Sequence, residues 1–266
     1  ILRVFYVQMI DYKKLNEYAS DLWSRDLPLE ADRGLILDRN GVVLADNLTT
    51  TSLVLIPNQI KDKKKTTTLL ADILGVSYEE MKEHVYKETS IERVHPEGRR
   101  LSYDVAEKIA ALKLDGVYLV KEAKRYYPYG NMLSHSLGYV GIDNQGLSGL
   151  ELQYDKYLTG KSGAIKYFSD AKGNKLNLSD IYVEPQDGMN ISLTIDINIQ
   201  KSLERELDNV VDMFSRDMAL AIVMDPNNGE ILGMASRPDY NPNQYQDYTQ
   251  EVLSRNLPIW ASYEPG

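Results

Sequence analysis

The stretch from Arg33 to Ala45 contains the feature that most constrains the fold, an Asn-Gly dipeptide between two short apolar runs. Asn40-Gly41 readily supplies the two positive φ angles that a type I′ turn requires. Because Leu35-Ile36-Leu37 precedes the dipeptide and Val42-Val43-Leu44 follows it, the sequence predicts a tight antiparallel ribbon with this turn at its tip.

The charges of this ribbon allow two interpretations. Arg33, Asp38 and Arg39 sit at fixed offsets around the predicted strands, so they can pair with one another across the ribbon. The alternative is a hairpin decorated with solvated salt bridges, which contribute little to stability. These residues alone leave both interpretations open.

The composition is that of an ordinary globular protein and excludes several kinds of partner. The chain has 266 residues, 43% hydrophobic and 26% charged, which suits one large domain or two modest ones. A net charge of -9 argues against a nucleic-acid partner and against an anionic membrane surface. The absence of cysteine excludes disulfides and thiolate metal sites.

The hydrophobic patterns alternate between helix and strand and predict an α+β chain. Its composition changes at Pro185-Gln186-Asp187-Gly188, which indicates the approach to a second domain. The predicted helices cover Tyr6–Ser24, Thr66–Leu74, about Tyr78–Lys87, a stretch opened by Ser102, Met132–Val140, Leu147–Leu158 and a long stretch capped by Asp196. The predicted strands and hairpins cover Ser52–Ile56, Val117–Val120, Gly163–Leu176, Asn190–Ile195 and the two sides of Pro226–Gly229.

Isolated catalytic patterns carry little weight in this sequence. Glu151 and Asp155 share one helix face, but an acid–base pair would also need a cleft and a raised pKa. Ser169-x-x-Lys172, Ser254-x-Asn256 and Lys161-Ser162-Gly163 imitate the motifs of penicillin-reactive enzymes in the wrong order. The three histidines are too dispersed for a metal motif, so we expect neither a metal nor a cofactor.

Three longer motifs, in a common order over about 130 residues, resemble the pedestal domain of class B penicillin-binding proteins. This resemblance implies structural and not catalytic roles for their residues. The first motif supplies Arg33, Gly34, Asp38, Arg39, Asn40 and Gly41, the second Arg125, Tyr127 and Pro128, and the third Gly146, Gly149, Glu151, Asp155 and Gly160.

The C-terminal part is similar to the entry of the same family's transpeptidase domain. Asp225–Ser236, Arg255-Asn256 and the final Tyr263-Glu264-Pro265-Gly266 carry this likeness. The resemblance implies an α+β chain made of an extended dimerisation-type pedestal and an incomplete transpeptidase α/β sandwich. We expect a juxtamembrane helix and linker over 1–30, the pedestal over 31–185, and over 186–266 a transpeptidase portion that ends before the catalytic serine, just after Gly266.

The resemblance also implies a function for the parent protein. It would be a membrane-anchored DD-transpeptidase that acts on peptidoglycan stem peptides, reacts with β-lactams and meets a polytopic membrane glycosyltransferase. A helix upstream of Ile1 would anchor it, with its bulk on the extracytoplasmic side, and this chain would be its non-catalytic scaffold. The sequences of Ile142–Leu147 and of Asp170–Gly173 are similar to those of the sporulation-specific members. The alternatives are a vegetative division or elongation paralogue and a pure interaction module.

Overall fold

The computed structural model describes residues 24–168 and 181–262, which form two compact units. Among the described residues, unit 1 takes in 24–30, 49–122, 162–168 and 181–185, and unit 2 takes in 31–48, 123–161 and 186–262. These units are cut differently from the domains expected from the sequence, whose boundaries stay a prediction.

The described chain contains ten strands and nine α-helices, interspersed in short runs of each kind. The strands are β1 (Ser24–Leu29), β2 (Ile36–Leu37), β3 (Val43–Leu55), β4 (Glu92–Arg93), β5 (Val117–Tyr126), β6 (Gly163–Phe168), β7 (Ile181–Val183), β8 (Ile191–Ser192), β9 (Ala219–Met224) and β10 (Ile231–Arg237). The helices are α1 (Lys63–Leu74), α2 (Tyr78–Val85), α3 (Tyr103–Ala111), α4 (Ser134–Leu137), α5 (Gly149–Gln153), α6 (Asp155–Leu158), α7 (Ile197–Phe214), α8 (Gln250–Ser254) and α9 (Leu257–Trp260), with 3-10 turns at Pro57–Gln59 and Pro242–Asp247.

Unit 1 combines an antiparallel sheet with a helical layer. The sheet has the order β1-β6-β7, so Ser24, expected at the end of a helix, and residues 25–29, expected to be linker, form a strand instead. The predicted Tyr6–Ser24 helix, apart from Ser24, and the predicted turn at Asp170–Gly173 lie outside the described residues.

The helical layer of unit 1 begins where the sequence supplies caps. The Asp62 side chain accepts from Lys65 N at the start of α1, and Ser77 and Glu80 form a reciprocal capping box on α2. The helices pack on the second half of β3, where they bury a core of Leu53, Leu55, Leu70, Met81, Val85 and Ile109.

Unit 2 is organised around β2, which pairs on both sides. Ile36 faces Ala45 of β3 in the antiparallel direction and Ile191 of β8 in the parallel direction. α7 packs on the hairpin of β9 and β10, and Asp196 caps α7 as predicted, by accepting from Asn198 N and Ile199 N. The core of this unit contains Ile36, Leu44, Tyr127, Leu133, Leu137, Leu158, Ile195 and Ile197.

The ribbon predicted from Asn40-Gly41 forms between β2 and β3, but its predicted type I′ turn is wrong. Only Gly41 has a positive φ, +84°, and its N–H donates to the Asp38 carbonyl at 3.2 Å while Asp38 N donates to the Val42 carbonyl. This is a three-residue loop closed by a glycine bulge. The Asp38 carboxylate accepts from Asn40 N at 2.7 Å and from Val42 N at 2.8 Å, which holds the backbone in this alternative shape.

Two predicted helices of unit 2 are shorter than their hydrophobic patterns suggest. The Met132–Val140 pattern yields only α4, because Leu133 and Gly138 on either side of it both have positive φ angles, 60° and 79°. The Leu147–Leu158 pattern splits into α5 and α6 at Tyr154, whose φ of -108° and ψ of 18° leave the helical region.

Candidate functional site

The residues of the three sequence motifs meet in unit 2 around one buried carboxylate. Glu151, on α5, is 0% exposed, and both of its side-chain oxygens accept hydrogen bonds from arginine. Arg33 Nε donates to Oε2 at 2.6 Å, and Arg125 Nε donates to Oε1 at 2.7 Å. We call this group, with Asp155 and Tyr127, the Glu151 cluster; its arginines are separated by 92 positions (125 minus 33) in the sequence.

Arg33 is the connecting member of the Glu151 cluster. Its Nη2 donates to the Glu151 carbonyl at 2.8 Å, and its Nη1 lies 2.7 Å from both Asp155 Oδ1 and Thr159 Oγ1 and 3.0 Å from the Asn144 carbonyl. A planar guanidinium can meet partners in several fixed directions at once, which an ammonium group cannot do in the same way. One side chain therefore joins the loop before α5, both short helices and the residue after them.

Arg125 and Tyr127 bring the end of β5 to the same carboxylate. The Tyr127 hydroxyl donates to Glu151 Oε1 at 3.3 Å, and burial of the ring, together with the Glu151 charge, raises the pKa of Tyr127 well above its usual value. Pro128 follows on the exposed side of a turn in which Gly130 N donates to the Tyr127 carbonyl. The Arg125 side chain is 1% exposed, and its Nη2 has no hydrogen-bond partner among the described residues.

Asp155 occupies the wetter edge of the cluster, with 37% of its side chain exposed. Burial acts to raise the pKa of Asp155, but the hydrogen bond from Gly146 N and the hydrogen bond and charge of Arg33 outweigh it, so the pKa lies below its usual value. Asp155 is consequently held as an anion and has the opposite tendency to that of a general acid.

Glycines let backbone segments approach the cluster closely. A Cβ on Gly146 would stand 2.1 Å from the Glu151 carbonyl oxygen, and a Cβ on Gly34 would stand 1.9 Å from the Met189 carbonyl oxygen. Any side chain at either position would displace backbone. Gly149 begins α5, and Gly160 follows α6.

The remaining residues of the first motif form a second contact region, which binds the start of α7. Asp38 is 1% exposed, and its Oδ2 accepts from Ile197 N at 3.2 Å, so it bonds both its own turn and the helix. Asn40 Nδ2 donates to Asp196 Oδ2 at 3.2 Å. Burial is the largest single influence on the pKa of Asp38 and acts to raise it. The hydrogen bonds from the backbone N–H groups of Val42, Ile197 and Asn40 together outweigh burial, so the pKa lies below its usual value.

The two interpretations of the ribbon charges each hold for part of the set. Arg33 and Asp38 are buried and bonded to other elements. Arg39 is a surface residue with 39% of its side chain exposed, and it pairs with Glu230 at 3.3 Å. The Glu151 cluster and the Asp38 turn are thus distinct contact regions, and Gly34, Leu35 and β2 connect them along the chain.

The chemistry of the Glu151 cluster favours support over catalysis. Each oxygen of Glu151 accepts from arginine, which leaves no acid and base facing each other across a cleft. Among residues 24–168 and 181–262, no group of metal-ligating side chains could hold a metal ion. Of the imitations of penicillin-reactive motifs, Ser169-x-x-Lys172 lies outside the described residues and Ser254 ends α8.

A groove of about 440 Å³ in unit 2 is the other candidate site, and it has mainly an apolar lining. His135 borders it, but burial lowers the pKa of His135, and its Nε2 lies 2.9 Å from the Val252 carbonyl. The imidazole is therefore neutral at neutral pH, and both ring nitrogens have partners inside unit 2, because Nδ1 lies 3.4 Å from the buried Ser236 hydroxyl. The main apolar lining comes from Leu150, Leu193, Ile195, Ile231, Met234 and Ile259.

Sequence reasoning missed several polar members of these networks. Asn47, Asn144 and Thr159 bond the arginines of the Glu151 cluster. In unit 1, Glu122 is 1% exposed and binds Arg99, with Ser52 as a further donor. Only its place in β5 could have pointed to Glu122, because strand alternation puts it on the same face as buried Val120.

Two models of known protein families match successive parts of the chain. The family model described as the penicillin-binding protein dimerisation domain matches residues 28–193, and the penicillin-binding protein transpeptidase domain matches residues 219–266. In the part of the chain that the structure describes, we find no helix with the length and hydropathy needed to span a membrane.

Named relatives are peptidoglycan D,D-transpeptidases and a sporulation protein. The chain is 48% identical to stage V sporulation protein D of Bacillus subtilis, over 99% of this chain and 41% of that protein. It is 33% identical to the probable peptidoglycan D,D-transpeptidase PenA of Neisseria gonorrhoeae, over 100% of this chain and 46% of PenA. It is 30% identical to FtsI of Escherichia coli, over 99% and 45%. The chain thus spans less than half the length of these relatives.

Solved structures agree with the same assignment. Penicillin-binding protein 2X of Streptococcus thermophilus superposes with a TM-score of 0.58 at 26% identity, over 83% of this chain and 36% of that one. The PBP2 complex with MreC from Helicobacter pylori gives a TM-score of 0.61 at 27% identity, over 84% and 44%. The predicted fold, a dimerisation-type domain followed by part of a transpeptidase domain, is confirmed, and the chain belongs to the class B penicillin-binding proteins.

Proposed function

We propose that this chain is the pedestal and the first part of the transpeptidase domain of a membrane-anchored peptidoglycan D,D-transpeptidase. The observation that carries the proposal is the order of the two family matches, 28–193 and then 219–266. In this proposal the parent protein has one membrane-spanning helix before Ile1 and its bulk outside the cytoplasm. The pedestal covers 31–185, and the transpeptidase portion starts near 186.

The proposed reaction belongs to the parent protein and not to this chain. A serine just after Gly266 would attack the D-Ala-D-Ala peptide bond of a stem peptide, form an acyl-enzyme and release D-Ala. The amine of a neighbouring stem peptide would then take the acyl group, which forms the cross-link and frees the serine. Without the serine there is no atom to carry the acyl group, so the 266-residue chain is a non-catalytic scaffold.

Within this scaffold we assign the three motifs an architectural role. The Glu151 cluster ties β5, α5, α6 and the first motif together, and the Asp38 turn ties the first motif to α7. Buried arginines and carboxylates that bond each other fix the relative positions of the elements that carry them, and removing one partner strongly destabilises the fold. The motif residues would therefore affect folding of the parent before they affect its chemistry.

A fluorescent penicillin tests the assignment of the chemistry. We expect covalent labelling of the full-length protein and no labelling of the 266-residue chain or of the full-length protein with its nucleophilic serine changed to alanine. The serine variant is the matched control, since it keeps the fold and removes one oxygen. Labelling of the 266-residue chain would overturn the scaffold assignment, and an unlabelled full-length protein would overturn the transpeptidase assignment.

The biological setting that we propose is spore cortex synthesis. Its support is the 48% identity to stage V sporulation protein D, compared with 30% to the FtsI of Escherichia coli. Deleting the gene in the source organism should leave vegetative growth intact and give spores that lack cortex. A division or elongation defect during growth would instead favour the vegetative alternative.

A second candidate function is an interaction module that contacts a polytopic membrane glycosyltransferase. The observation that favours it is the likeness to a PBP2 solved in complex with MreC, a protein of this fold with a bound protein partner. In the full-length protein, Arg33→Ala or Asp38→Ala should weaken binding of the glycosyltransferase while penicillin labelling stays largely intact. Because both residues are buried, they can act on binding only through the fold. Failure of the isolated pedestal to bind the glycosyltransferase would remove the docking candidate and leave the transpeptidase assignment standing.

A further inference from the structure

Two Asn-Gly dipeptides occupy equivalent positions at the tips of the two hairpins of unit 2. Asn40-Gly41 closes the β2–β3 ribbon, and Asn228-Gly229 closes the β9–β10 hairpin. Both asparagines are exposed, and both glycines have positive φ angles, +84° and +78°. A Cβ built on either glycine would meet nothing within 4 Å, so neither site is crowded.

This dipeptide has a known intrinsic chemistry. The backbone nitrogen of the glycine loses its proton to a base in solution and attacks Cγ of the asparagine. The Cγ–Nδ2 bond then breaks as Nδ2 takes a proton from solution and leaves as ammonia. Water then opens the cyclic imide at either carbonyl and leaves aspartate or isoaspartate. The reaction needs no oxidant or enzyme, but the asparagine side chain has to turn toward its own glycine nitrogen.

The two asparagine side chains are held differently. Asn228 Oδ1 accepts from Glu230 N at 2.9 Å, a contact inside its own turn. Asn40 Nδ2 donates at 3.2 Å to Asp196 Oδ2, which lies 156 positions further along the chain. The other oxygen of Asp196 caps α7, so the leaving group of the reaction at Asn40 is bonded to the cap of a helix.

We propose that Asn40 is a site of spontaneous deamidation that the contact with Asp196 restrains, and that its conversion to aspartate releases the turn from α7. The new carboxylate would face the Asp196 carboxylate where an amide donor now stands, and like charges at this distance repel. Asp38, which bonds both Asn40 N and Ile197 N, would be the third carboxylate in the same small region. At Asn228 the same conversion would add a charge only to a hairpin tip.

The first test measures the rate of conversion at both sites by peptide mass mapping of the 266-residue chain kept at mildly alkaline pH. In the folded chain we expect Asn228 to convert several-fold faster than Asn40, and in urea we expect equal rates. Asp196→Ser keeps a capping oxygen but removes the partner of Asn40, so it should accelerate Asn40 several-fold and leave Asn228 unchanged. Asp196→Asn, also a good cap, should do the same and decides the matter if the serine variant unfolds.

The second test concerns the consequence of the conversion. Asn40→Asp should speed hydrogen exchange of the first amides of α7 several-fold, while Asn228→Asp, the matched control, should not change them. Equal rates at the two asparagines in the folded chain, or an Asn40 rate that neither Asp196 variant changes, would overturn the restraint. Unchanged exchange in Asn40→Asp would overturn the release.

Discussion

Glu151 in unit 2 and Glu122 in unit 1 are both buried carboxylates bound by arginine, but their surroundings differ. Both arginines at Glu151 have side chains that are 1% exposed and use separate carboxylate oxygens. At Glu122 the bonds from Arg99 converge on one carboxylate together with the bond from Ser52, and Arg100 stands 3.7 Å away with 23% of its side chain exposed. We call this second group the Glu122 cluster.

The difference predicts how each cluster responds to the loss of its carboxylate. A charge left behind in a dry site costs several kcal/mol, because water cannot replace the missing partner. In the Glu151 cluster two arginines would be left in such a site. In the Glu122 cluster Arg99 would also be left buried, with 6% of its side chain exposed, but Arg100 reaches solvent, so only part of the freed charge can be hydrated. The two clusters should therefore lose different amounts of unfolding free energy when the carboxylate is removed, although both are built from arginine and glutamate.

The largest effect is expected for Glu151→Ala. Loss of the carboxylate leaves Arg125 buried without a counter-charge and Arg33 with only the partly exposed Asp155, so we expect the free energy of unfolding to fall by about 4 kcal/mol. Urea denaturation measures the change, and hydrogen exchange of α5 and α6 locates it in unit 2. Glu151→Gln keeps the volume and one acceptor and should cost less.

The surface pair of Arg39 and Glu230 gives the matched control for this prediction. Both side chains are more than a third exposed, so Glu230→Ala should change the free energy of unfolding by less than about 1 kcal/mol. If Glu151→Ala cost no more than Glu230→Ala, the Glu151 cluster could not be the buried support that its contacts indicate.

Glu122→Ala is the direct counterpart in unit 1. We expect it to cost about 3 kcal/mol, less than Glu151→Ala, because Arg100 can turn further into water. The measurement is the same denaturation, with hydrogen exchange of β3 and β5 as the local readout. A cost above that of Glu151→Ala would reverse the comparison and show that exposure of the arginines does not set it.

Conservative changes of arginine to lysine sharpen the same comparison. Arg33→Lys should cost about 2 kcal/mol, since the donors of an ammonium leave from a single nitrogen, whereas Arg33 reaches Glu151 from Nε and reaches Asp155 and the Asn144 carbonyl from Nη1. Arg99→Lys should cost about 1 kcal/mol, because a lysine can still meet one carboxylate. Equal costs in urea denaturation would mean that the directions of the Arg33 bonds are unimportant.

The two clusters also separate what the sequence could predict from what it could not. The resemblance singled out Arg33, Arg125 and Glu151 because they belong to ordered motifs, although spacing alone could not show that they meet. Glu122 belongs to no motif, and a lone glutamate in a strand is normally solvated. Its burial depends on Arg99, 23 positions away in the sequence, so it is a tertiary effect that the local sequence does not show. The predicted type I′ turn at Gly41 was wrong because the hydrogen bonds of the Asp38 side chain override the local preference of Asn-Gly.

Acid should weaken both clusters. Burial acts to raise the pKa of Glu122, but hydrogen bonds from Arg99 and Ser52 and the charges of Arg99 and Arg100 outweigh it, so the pKa lies below its usual value, as it does for Asp155. When a carboxyl group has a lower pKa in the folded state than in the unfolded state, the unfolded state binds more protons than the folded state as the pH falls. Acid therefore favours unfolding. The stabilisation is therefore full above about pH 5 and is lost progressively below about pH 4.

Variants that remove the titrating group give the smallest predicted effects and assign the acid loss to each cluster. Glu122→Gln should flatten the decline of unit 1 stability below about pH 4, whereas Asp155→Asn should flatten that of unit 2 less, since 37% of the Asp155 side chain is exposed and water screens its bond to Arg33. Urea denaturation across this pH range, with hydrogen exchange to separate the units, measures both slopes. A larger change from Asp155→Asn than from Glu122→Gln would mean that the bonds from Gly146 N and Arg33, and not exposure, determine how strongly each carboxylate couples folding to protons.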